Sequence, residues 1–197
     1  MKFSEKLRVG GNYTIVSPNG GEDWRVAEKE NITWEWGGTV PNVKLYYTTQ
    51  VLADNDHPET VSWAEIDPLV PKNYTNDGKP PAGGSGITRS YEWTVPDDIS
   101  PTVKVKIADA GDAAVFDVSN TAFKIRGDFV VISPNGDERW ITASYTINQG
   151  QNITWTSAGT VPLVKLEYST DDFATPANTH VIMGSYEFLA TDLLGTY

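Results

Sequence analysis

The chain is built from short segments in which hydrophobic and polar residues alternate. In segment 31–36, for example, Ile32, Trp34 and Trp36 fall on one face and polar residues fall on the other. Strict alternation over about four to eight residues is typical of a β-strand with one buried face. The same pattern predicts further strands at 13–16, 43–47, 61–66, 90–96, 102–108 and 122–125.

Clusters of Gly, Pro and Asn separate these segments, and no helical periodicity persists across them. Many short alternating strands with turn signals between them are the pattern of an antiparallel β-sandwich, so the predicted fold class is all-β. Two packed sheets bury the alternate side chains of their inner faces. We expect one core to contain Trp34, Leu45, Tyr47, Trp93, Val103, Val105 and Ile107, and a second core to contain Trp155, Leu166 and Tyr168.

One stretch of the sequence occurs twice. Ser-Pro-Asn-Gly-Gly-Glu-Asp-Trp at 17–24 returns as Ser-Pro-Asn-Gly-Asp-Glu-Arg-Trp at 133–140, and Asn-Ile-Thr-Trp follows it in each copy. A repeat of this length is a whole domain, larger than a solenoid unit. The copies predict a complete sandwich at 12–126 and a partial second one at 127–197, with 1–11 as the tail of a preceding repeat or a linker.

The second copy stops before it reaches counterparts of the last three strands of the first copy. We therefore expect a segment of a longer array, in which the short linker at 126–128 holds consecutive modules in a semi-rigid rod.

The repeated Ser-Pro-Asn-Gly block has two interpretations. Its acidic neighbours in both copies are compatible with a ligand-binding loop. Proline, however, fixes φ, and Asn and Gly accept left-handed backbone geometry, which is the chemistry of a tight turn. We favour a structural corner, with Trp24 or Trp140 packed beneath it.

The composition excludes several classes of function. The chain has no cysteine, and therefore no disulfide, thiolate metal site or cysteine nucleophile. Its 15 basic and 26 acidic residues give a formal net charge of −11, which repels phosphate backbones, so we expect no nucleic-acid partner. No stretch approaches the roughly 20 apolar residues of a membrane-spanning helix, so we expect no membrane insertion. Segment 1–6 has no hydrophobic stretch behind it, so any signal peptide is expected outside this sequence.

The order of the motifs resembles a bacterial and archaeal surface-protein repeat. That repeat is related to the Ser/Thr-rich GPI-anchored wall proteins of fungi and to yeast proteins of cell-wall β-1,6-glucan assembly. The resemblance implies tandem immunoglobulin- or fibronectin-III-like sandwiches, an extracellular or cell-surface location and no catalytic residues. The long polar segment at 50–88 departs from the pattern. The resembling residues are 17–24, 31–34, 43–47, 91–96, 103–109 and 117–119 in the first copy, and 133–140, 152–155 and 164–169 in the second.

The predicted function is that of a non-catalytic structural or adhesive segment of a multidomain extracellular or cell-surface protein, acting as a semi-rigid spacer or layer-forming module. Its expected partners are neighbouring repeats or other copies of the surface protein. An enzyme has little support, because the two histidines, His57 and His180, fall in different modules and no nucleophile or phosphate-binding motif occurs. We expect no cofactor.

Two alternatives stay open. The chain could be a carbohydrate-binding accessory module of a secreted hydrolase, with cell-wall or extracellular polysaccharide as its partner. Aromatic rings on a surface stack on sugars, and Tyr46 and Trp63 are the outward candidates; Trp36 shares its strand face with Trp34 and is expected in the core. In the other alternative, an open sheet edge in the second copy accepts a strand from a neighbouring chain.

Three further sets of residues are candidate sites. Asp109, Asp112 and Asp117 lie around a Gly-containing bend and are candidates for calcium, against the simpler interpretation of an acidic surface loop. The tripeptide Arg126-Gly127-Asp128 spells an integrin-type adhesion motif, which also arises often by chance. The N-glycosylation pattern occurs at Asn12, Asn31, Asn73 and Asn152.

Overall fold

A computed structural model of the chain describes residues 11–38, 42–66, 74–75, 88–138, 152–182, 186–187 and 194–196. The chain divides into two compact units, Met1–Arg126 (unit 1) and Gly127–Tyr197 (unit 2). The fold is all-β, as predicted, and the described residues contain no α-helix. Two short 3₁₀ turns, Pro58–Thr60 and Pro176–Asn178, interrupt the loops. Among these residues we find no helix with the length and apolar character to cross a membrane.

The described residues of unit 1 form two sheets. The strands are β1 (Asn12–Ser17), β2 (Asp23–Arg25), β3 (Lys29–Gly37), β4 (Asn42–Thr48), β5 (Ala64–Glu65), β6 (Tyr74–Thr75), β7 (Thr88–Thr94), β8 (Ser100–Asp109), β9 (Phe116–Val118) and β10 (Phe123–Arg126). One sheet has the order β1-β3-β7. The other has the order β2-β10-β8-β4-β5, with β9 paired to β8 and β6 paired to β4.

The inner faces of these two sheets form one hydrophobic core. Ile15 and Trp34 from the first sheet are buried in the same cluster as Val105 and Phe123 from the second. Each strand supplies every second residue because side chains alternate across a strand. Burying one such large side chain stabilises the fold by about 1.5–3 kcal/mol, so this cluster dominates the stability of unit 1.

Most of the residues predicted for this core are buried, and Trp36 joins them. Tyr47 differs: it packs against the cluster but remains half-buried, because its hydroxyl reaches the carboxylate of Asp98 at the rim. The strand predicted at 61–66 is also shorter than expected, since only Ala64–Glu65 pairs with β4.

The sheets are antiparallel except at one edge. β2 pairs with β10 in parallel, with Trp24 opposite Ile125. The chain leaves the first sheet at the end of β1, turns through the Ser-Pro-Asn-Gly block and enters the second sheet as β2. The repeated block is therefore the point where the chain changes sheets.

Unit 2 contains β11 (Asp128–Ser133), β12 (Thr154–Ala158), β13 (Leu163–Val164), β14 (Glu167–Ser169), β15 (Thr179–Val181), β16 (Tyr186–Glu187) and β17 (Leu194–Thr196). They form a β11-β12-β17 sheet and the two-stranded pairs β13-β16 and β14-β15.

Trp155 of β12 is buried, as expected, and Leu166 is half-buried. The prediction that Tyr168 lies in the core is wrong. Tyr168 is 49% exposed, because among the described residues only β15 pairs with β14. Its ring packs on His180.

Candidate functional site

The Ser-Pro-Asn-Gly corner of unit 1 is held together by one carboxylate. Glu22 accepts hydrogen bonds from the backbone N–H groups of Asn19, at 2.8 Å, and Gly20, at 2.7 Å. The side chain of Asn19 in turn accepts the N–H of Asn120, at 2.6 Å. The acidic residue of the motif therefore satisfies the turn that contains it, as the structural interpretation expects.

Gly20 is required at this corner by space as well as by geometry. Its φ of +125° lies in a region that favours glycine, and a Cβ built there would fall 1.5 Å from the Oγ1 of Thr121. Beneath the corner, the ring of Trp24 packs 4.8 Å from the ring of Phe123 and meets Trp93 edge-on at 5.9 Å. The block thus anchors β2 on the core.

The corner of unit 2 repeats this arrangement. Glu138 accepts the backbone N–H of Asn135 at 2.9 Å, and Gly136 has a φ of +145°. Hydrogen bonds from the backbone of Asn135, from its own backbone and from Gly136 outweigh desolvation and lower the pKa of Glu138. Trp140, expected beneath this corner, lies outside the described residues.

The three calcium candidates each accept backbone N–H groups, and Asp112 accepts that of Ala114 at 3.2 Å. Asp109 accepts the N–H groups of Gly111, at 2.7 Å, and Asp112, at 2.9 Å. Asp117 accepts the N–H of Ile15 at 2.6 Å, and so ties β9 to β1. Within the described part of the chain, no group of three acidic or histidine side chains is placed to hold a metal ion. These carboxylates are thus used by the backbone of their own loop and strands, and calcium binding at them stays a prediction.

The adhesion-like tripeptide straddles the two units. Arg126 is the last residue of β10, and its Nε donates to Asp23 at 2.7 Å. Burial opposes ionisation of Asp23, but the hydrogen bonds from Lys124 and Arg126 outweigh it and lower the pKa of the Asp23 carboxyl. The arginine of the motif is therefore used to join β10 to β2.

Three of the four glycosylation candidates are exposed. Asn12, Asn31 and Asn152 present their side chains at the surface, the first two within β1 and β3. Asn73 lies outside the described residues. Exposure is required for modification, and modification at these asparagines stays a prediction.

Tyr46 and Trp63, the two candidates for sugar stacking, do come together, on either side of a lysine. Tyr46 on β4 is paired directly with Lys106 on β8. The ammonium of Lys106 lies 4.8 Å from the ring centroid of Tyr46 and 4.6 Å from that of Trp63. Desolvation lowers the pKa of Lys106. The ring faces that this ammonium covers are closed to a sugar, so a ligand could stack only on an uncovered face of either ring.

Trp63 also lines a cleft. The cleft has a volume of about 260 Å³ and is bounded by Tyr47, Gln50, Ser62, Trp63 and Asp98. The indole is held in place, since its Nε1–H donates to the carbonyl of Pro58 at 2.6 Å. On the neighbouring stretch, the Oε1 of Gln50 accepts the N–H of Ser62 at 3.0 Å.

The opposite side of the cleft carries a hydrogen-bonded acid. The hydroxyl of Tyr47 donates to Asp98, and its ring packs 5.1 Å from Trp93 of the core. Burial, together with the hydrogen bond and charge of Asp98, raises the pKa of Tyr47 to about 12. The cleft therefore has an aromatic wall, a carboxylate and an amide within one small volume.

The sequence located this cleft only in part. Trp63 was a candidate, but the other aromatic residue of the cleft is Tyr47 and not Tyr46. No sequence motif marks Gln50 or Asp98 as part of a site, because each is an ordinary polar residue of a loop. They meet Trp63 through the pairing of β4 with β5 and β8, which no short motif encodes.

The two histidines lie in different units, and each contacts residues of its own unit. His57 of unit 1 contacts Glu59 at 3.0 Å through Nδ1, and that hydrogen bond and charge, with Asp54 nearby, raise the pKa of His57. His180 of unit 2 lies in β15 and packs on Tyr168. Each has a local structural partner.

Comparisons with known proteins assign no family to this chain. No protein-family model matches the chain, and no curated protein matches it. Among solved structures, the chain is similar to the fibronectin(III)-like modules of Clostridium thermocellum CbhA, with 13% identity and a TM-score of 0.25. That similarity covers 94% of this chain and 77% of the other. The relation to the surface-protein repeats and the fungal wall proteins stays a prediction.

Proposed function

We propose that this chain is a non-catalytic structural or adhesive segment of a multidomain extracellular or cell-surface protein, where it acts as a semi-rigid spacer or layer-forming module. One observation carries the proposal: the motif that recurs in both units is used to build the fold. Glu22 and Glu138 each bind backbone N–H groups of their own corner. A motif repeated for its structure is what an array of like modules requires.

The other charged candidates support the same proposal. The carboxylates of Asp109 and Asp117 accept backbone N–H groups, and Arg126 joins two strands. Structural roles of this kind support a structural function for the chain.

The strand arrangement of unit 1 suits a spacer under tension. The chain enters through β1 and β2 and leaves through β10, and β2 and β10 are parallel neighbours. Pulling the two ends apart draws these strands in opposite directions along their length. Two backbone hydrogen bonds join the strands: the N–H of Lys124 donates to the carbonyl of Glu22, and the N–H of Val26 donates to the carbonyl of Arg126. The pulling force acts on both bonds at the same time, not on one after another. Shear of this kind resists force better than unzipping.

Neighbouring repeats or other copies of the same protein are the proposed partners. In unit 2, the residues Phe129–Ile132 of β11 are each between 42% and 56% exposed although all are large and apolar. A run of exposed apolar residues on one strand favours contact with another protein surface.

Single-molecule pulling of the intact chain tests the spacer role. We expect a distinct rupture peak for unit 1, which falls in Lys124→Pro because this variant lacks the N–H that donates to Glu22. Lys124→Ala is the matched control, since it removes the side chain and keeps the backbone bond. Extension of unit 1 without a rupture peak, or equal peaks in the two variants, would contradict the proposal.

The location is tested on intact cells of the source organism with antibodies against residues 12–126. We expect labelling before the cells are permeabilised. Labelling that requires permeabilisation would overturn the extracellular assignment.

A further inference from the structure

The cleft beside Trp63 has the size of a site for one small ligand. Its volume of about 260 Å³ lies just below the range of about 300–1,000 Å³ that is usual for drug-sized ligands. The cleft opens between the end of β4 and the loop that carries Trp63 (residues 61–63), in unit 1. None of the structural roles described for the chain uses this opening.

The aromatic wall of the cleft is fixed before any ligand arrives. The indole of Trp63 is held by its Nε1–H bond to Pro58 and by the ammonium of Lys106, 4.6 Å from the ring centroid. A flat apolar surface that does not move on binding loses little conformational entropy when a ligand packs on it. It therefore offers a platform for a flat apolar face of a ligand.

The polar groups around that platform match hydroxyl groups. Asp98 presents a carboxylate, which accepts hydrogen bonds, and Ser62 presents an exposed hydroxyl, which donates and accepts. The amide of Gln50 uses Oε1 to accept from Ser62, and its NH₂ group is a donor. Donors and acceptors side by side suit a ligand whose own groups do both, as sugar hydroxyls do.

Charge argues against the two other classes of small ligand. A cation on Trp63 would meet the ammonium that already lies at 4.6 Å from the same ring. An anion would meet the carboxylate of Asp98 on a chain whose formal net charge is −11. A neutral ligand with one apolar face and several hydroxyls remains.

We propose that this cleft binds one pyranose ring of a neutral saccharide, with the ring stacked on Trp63 and its hydroxyls hydrogen-bonded to Asp98 and Gln50. This site adds a ligand to the chain and does not depend on the proposed spacer role. If the cleft binds nothing, the pulling and surface-labelling results stand, and if those fail the cleft can still bind sugar.

Nuclear magnetic resonance titration of the intact chain tests the proposal. The probes are soluble oligosaccharides of β-1,3-linked, β-1,4-linked and α-1,4-linked glucose, and tetramethylammonium chloride as a cationic probe. We expect at least one oligosaccharide to shift the signals of the Trp63 indole N–H and the Gln50 side-chain amide. Shifts with tetramethylammonium but with no oligosaccharide, or no shift with any probe at millimolar concentration, would overturn the proposal.

Two variants assign the binding to the cleft. Trp63→Ala should abolish the shifts, whereas Tyr168→Ala, which removes an exposed aromatic ring in unit 2, should leave the affinity unchanged. Gln50→Glu keeps an acceptor for Ser62 and replaces the donor by a charge facing Asp98, so we expect the affinity to fall at least about tenfold with the backbone spectrum preserved. Full affinity in Gln50→Glu, or in a folded Trp63→Ala, would overturn the assignment.

Discussion

Matched strands of the two units bury their apolar faces to very different extents. In β1, Tyr13 is 5% exposed and Ile15 is 2% exposed. At the same repeat positions in β11, Phe129 is 42% exposed and Val131 is 47% exposed. Both strands nevertheless pair in the same way, since Ile15 lies opposite Trp34 and Val131 lies opposite Trp155. Pairing is therefore shared, and burial is not.

The difference lies in what covers each inner face. In unit 1, β8 and β10 supply a second sheet whose buried residues include Val105 and Phe123. In unit 2, Phe129 and Val131 line a cleft of about 240 Å³ together with Trp155 and Leu166. Strand pairing alone thus does not bury an apolar face, since only an opposing sheet makes that face into a core.

Separating the units should give the largest effect. We expect residues 12–126 to unfold cooperatively in urea, because their core is closed on both sides. Residues 127–197 should show no cooperative transition and should self-associate, because their apolar face is open. Circular dichroism and size-exclusion chromatography measure both. A cooperative transition for isolated 127–197 would break the comparison.

Truncating one apolar side chain in β1 and its counterpart in β11 should have different effects on the stability of the intact chain. Ile15→Ala removes a fully buried side chain, and we expect it to lower the free energy of unfolding of unit 1 by about 2–5 kcal/mol. Val131→Ala removes an exposed one, and its effect should stay within about 0.5 kcal/mol. Urea denaturation followed by tryptophan fluorescence gives both values. Equal losses would mean that β11 is buried as deeply as β1.

The two corners provide a subtler contrast. Glu22→Gln weakens two hydrogen bonds from backbone N–H groups to a carboxylate, and we expect a loss of about 1–2 kcal/mol in unit 1. The matched Glu138→Gln changes an exposed corner, where Pro134 is exposed and Pro18 is fully buried, so its effect should be smaller. Thermal unfolding of the two variants measures the difference, and a larger shift for Glu138→Gln would contradict it.

The units should also respond to opposite extremes of pH. The pKa of Tyr47 is raised to about 12 by burial and by Asp98, so its contribution to unit 1 is complete below about pH 10 and is lost as the pH rises through 12. In unit 2, hydrogen bonds from Ser169, Thr175 and Asn178 lower the pKa of Asp171 to about 2. That contribution is complete above about pH 4 and is lost as the pH falls through 2.

Single variants check each titration. Tyr47→Phe should remove the alkaline step from the melting temperature of unit 1, which an absorbance titration of tyrosine follows. Asn178→Ala should raise the pKa of Asp171 toward its ordinary value, which carboxyl resonances report. An unchanged alkaline step in Tyr47→Phe would assign it to another group, such as Tyr13, whose pKa burial and Asp109 also raise.

The sequence predicted the long strands well because their alternation is local. β3, β4 and β8 each carry their own pattern of buried and exposed residues. β2 was missed because three residues are too few to show a period, and its parallel pairing with β10 joins positions about a hundred residues apart. Local pattern cannot reveal that kind of contact.

The candidate site shows the same limit. Trp63 was identified by residue type, but the ammonium over its ring and the acid across the cleft come from β8 and from the loop that holds Asp98. The prediction that Tyr168 is buried was wrong for a related reason. Its strand has the expected alternation, but the described residues place only β15 beside it. In both cases the surroundings of the aromatic residue depend on which distant strand lies beside it. The spacing of residues along the sequence does not specify that neighbour.

The same strand pairing thus gives a closed core in unit 1 and an open apolar face in unit 2. Native-state hydrogen exchange on the intact chain tests it most directly, because it reports the opening free energy of each strand separately. The account predicts that amides of β1 and β3 exchange only through global unfolding of unit 1, while those of β11 and β12 exchange through far smaller openings. Equal protection in the matched strands would contradict it.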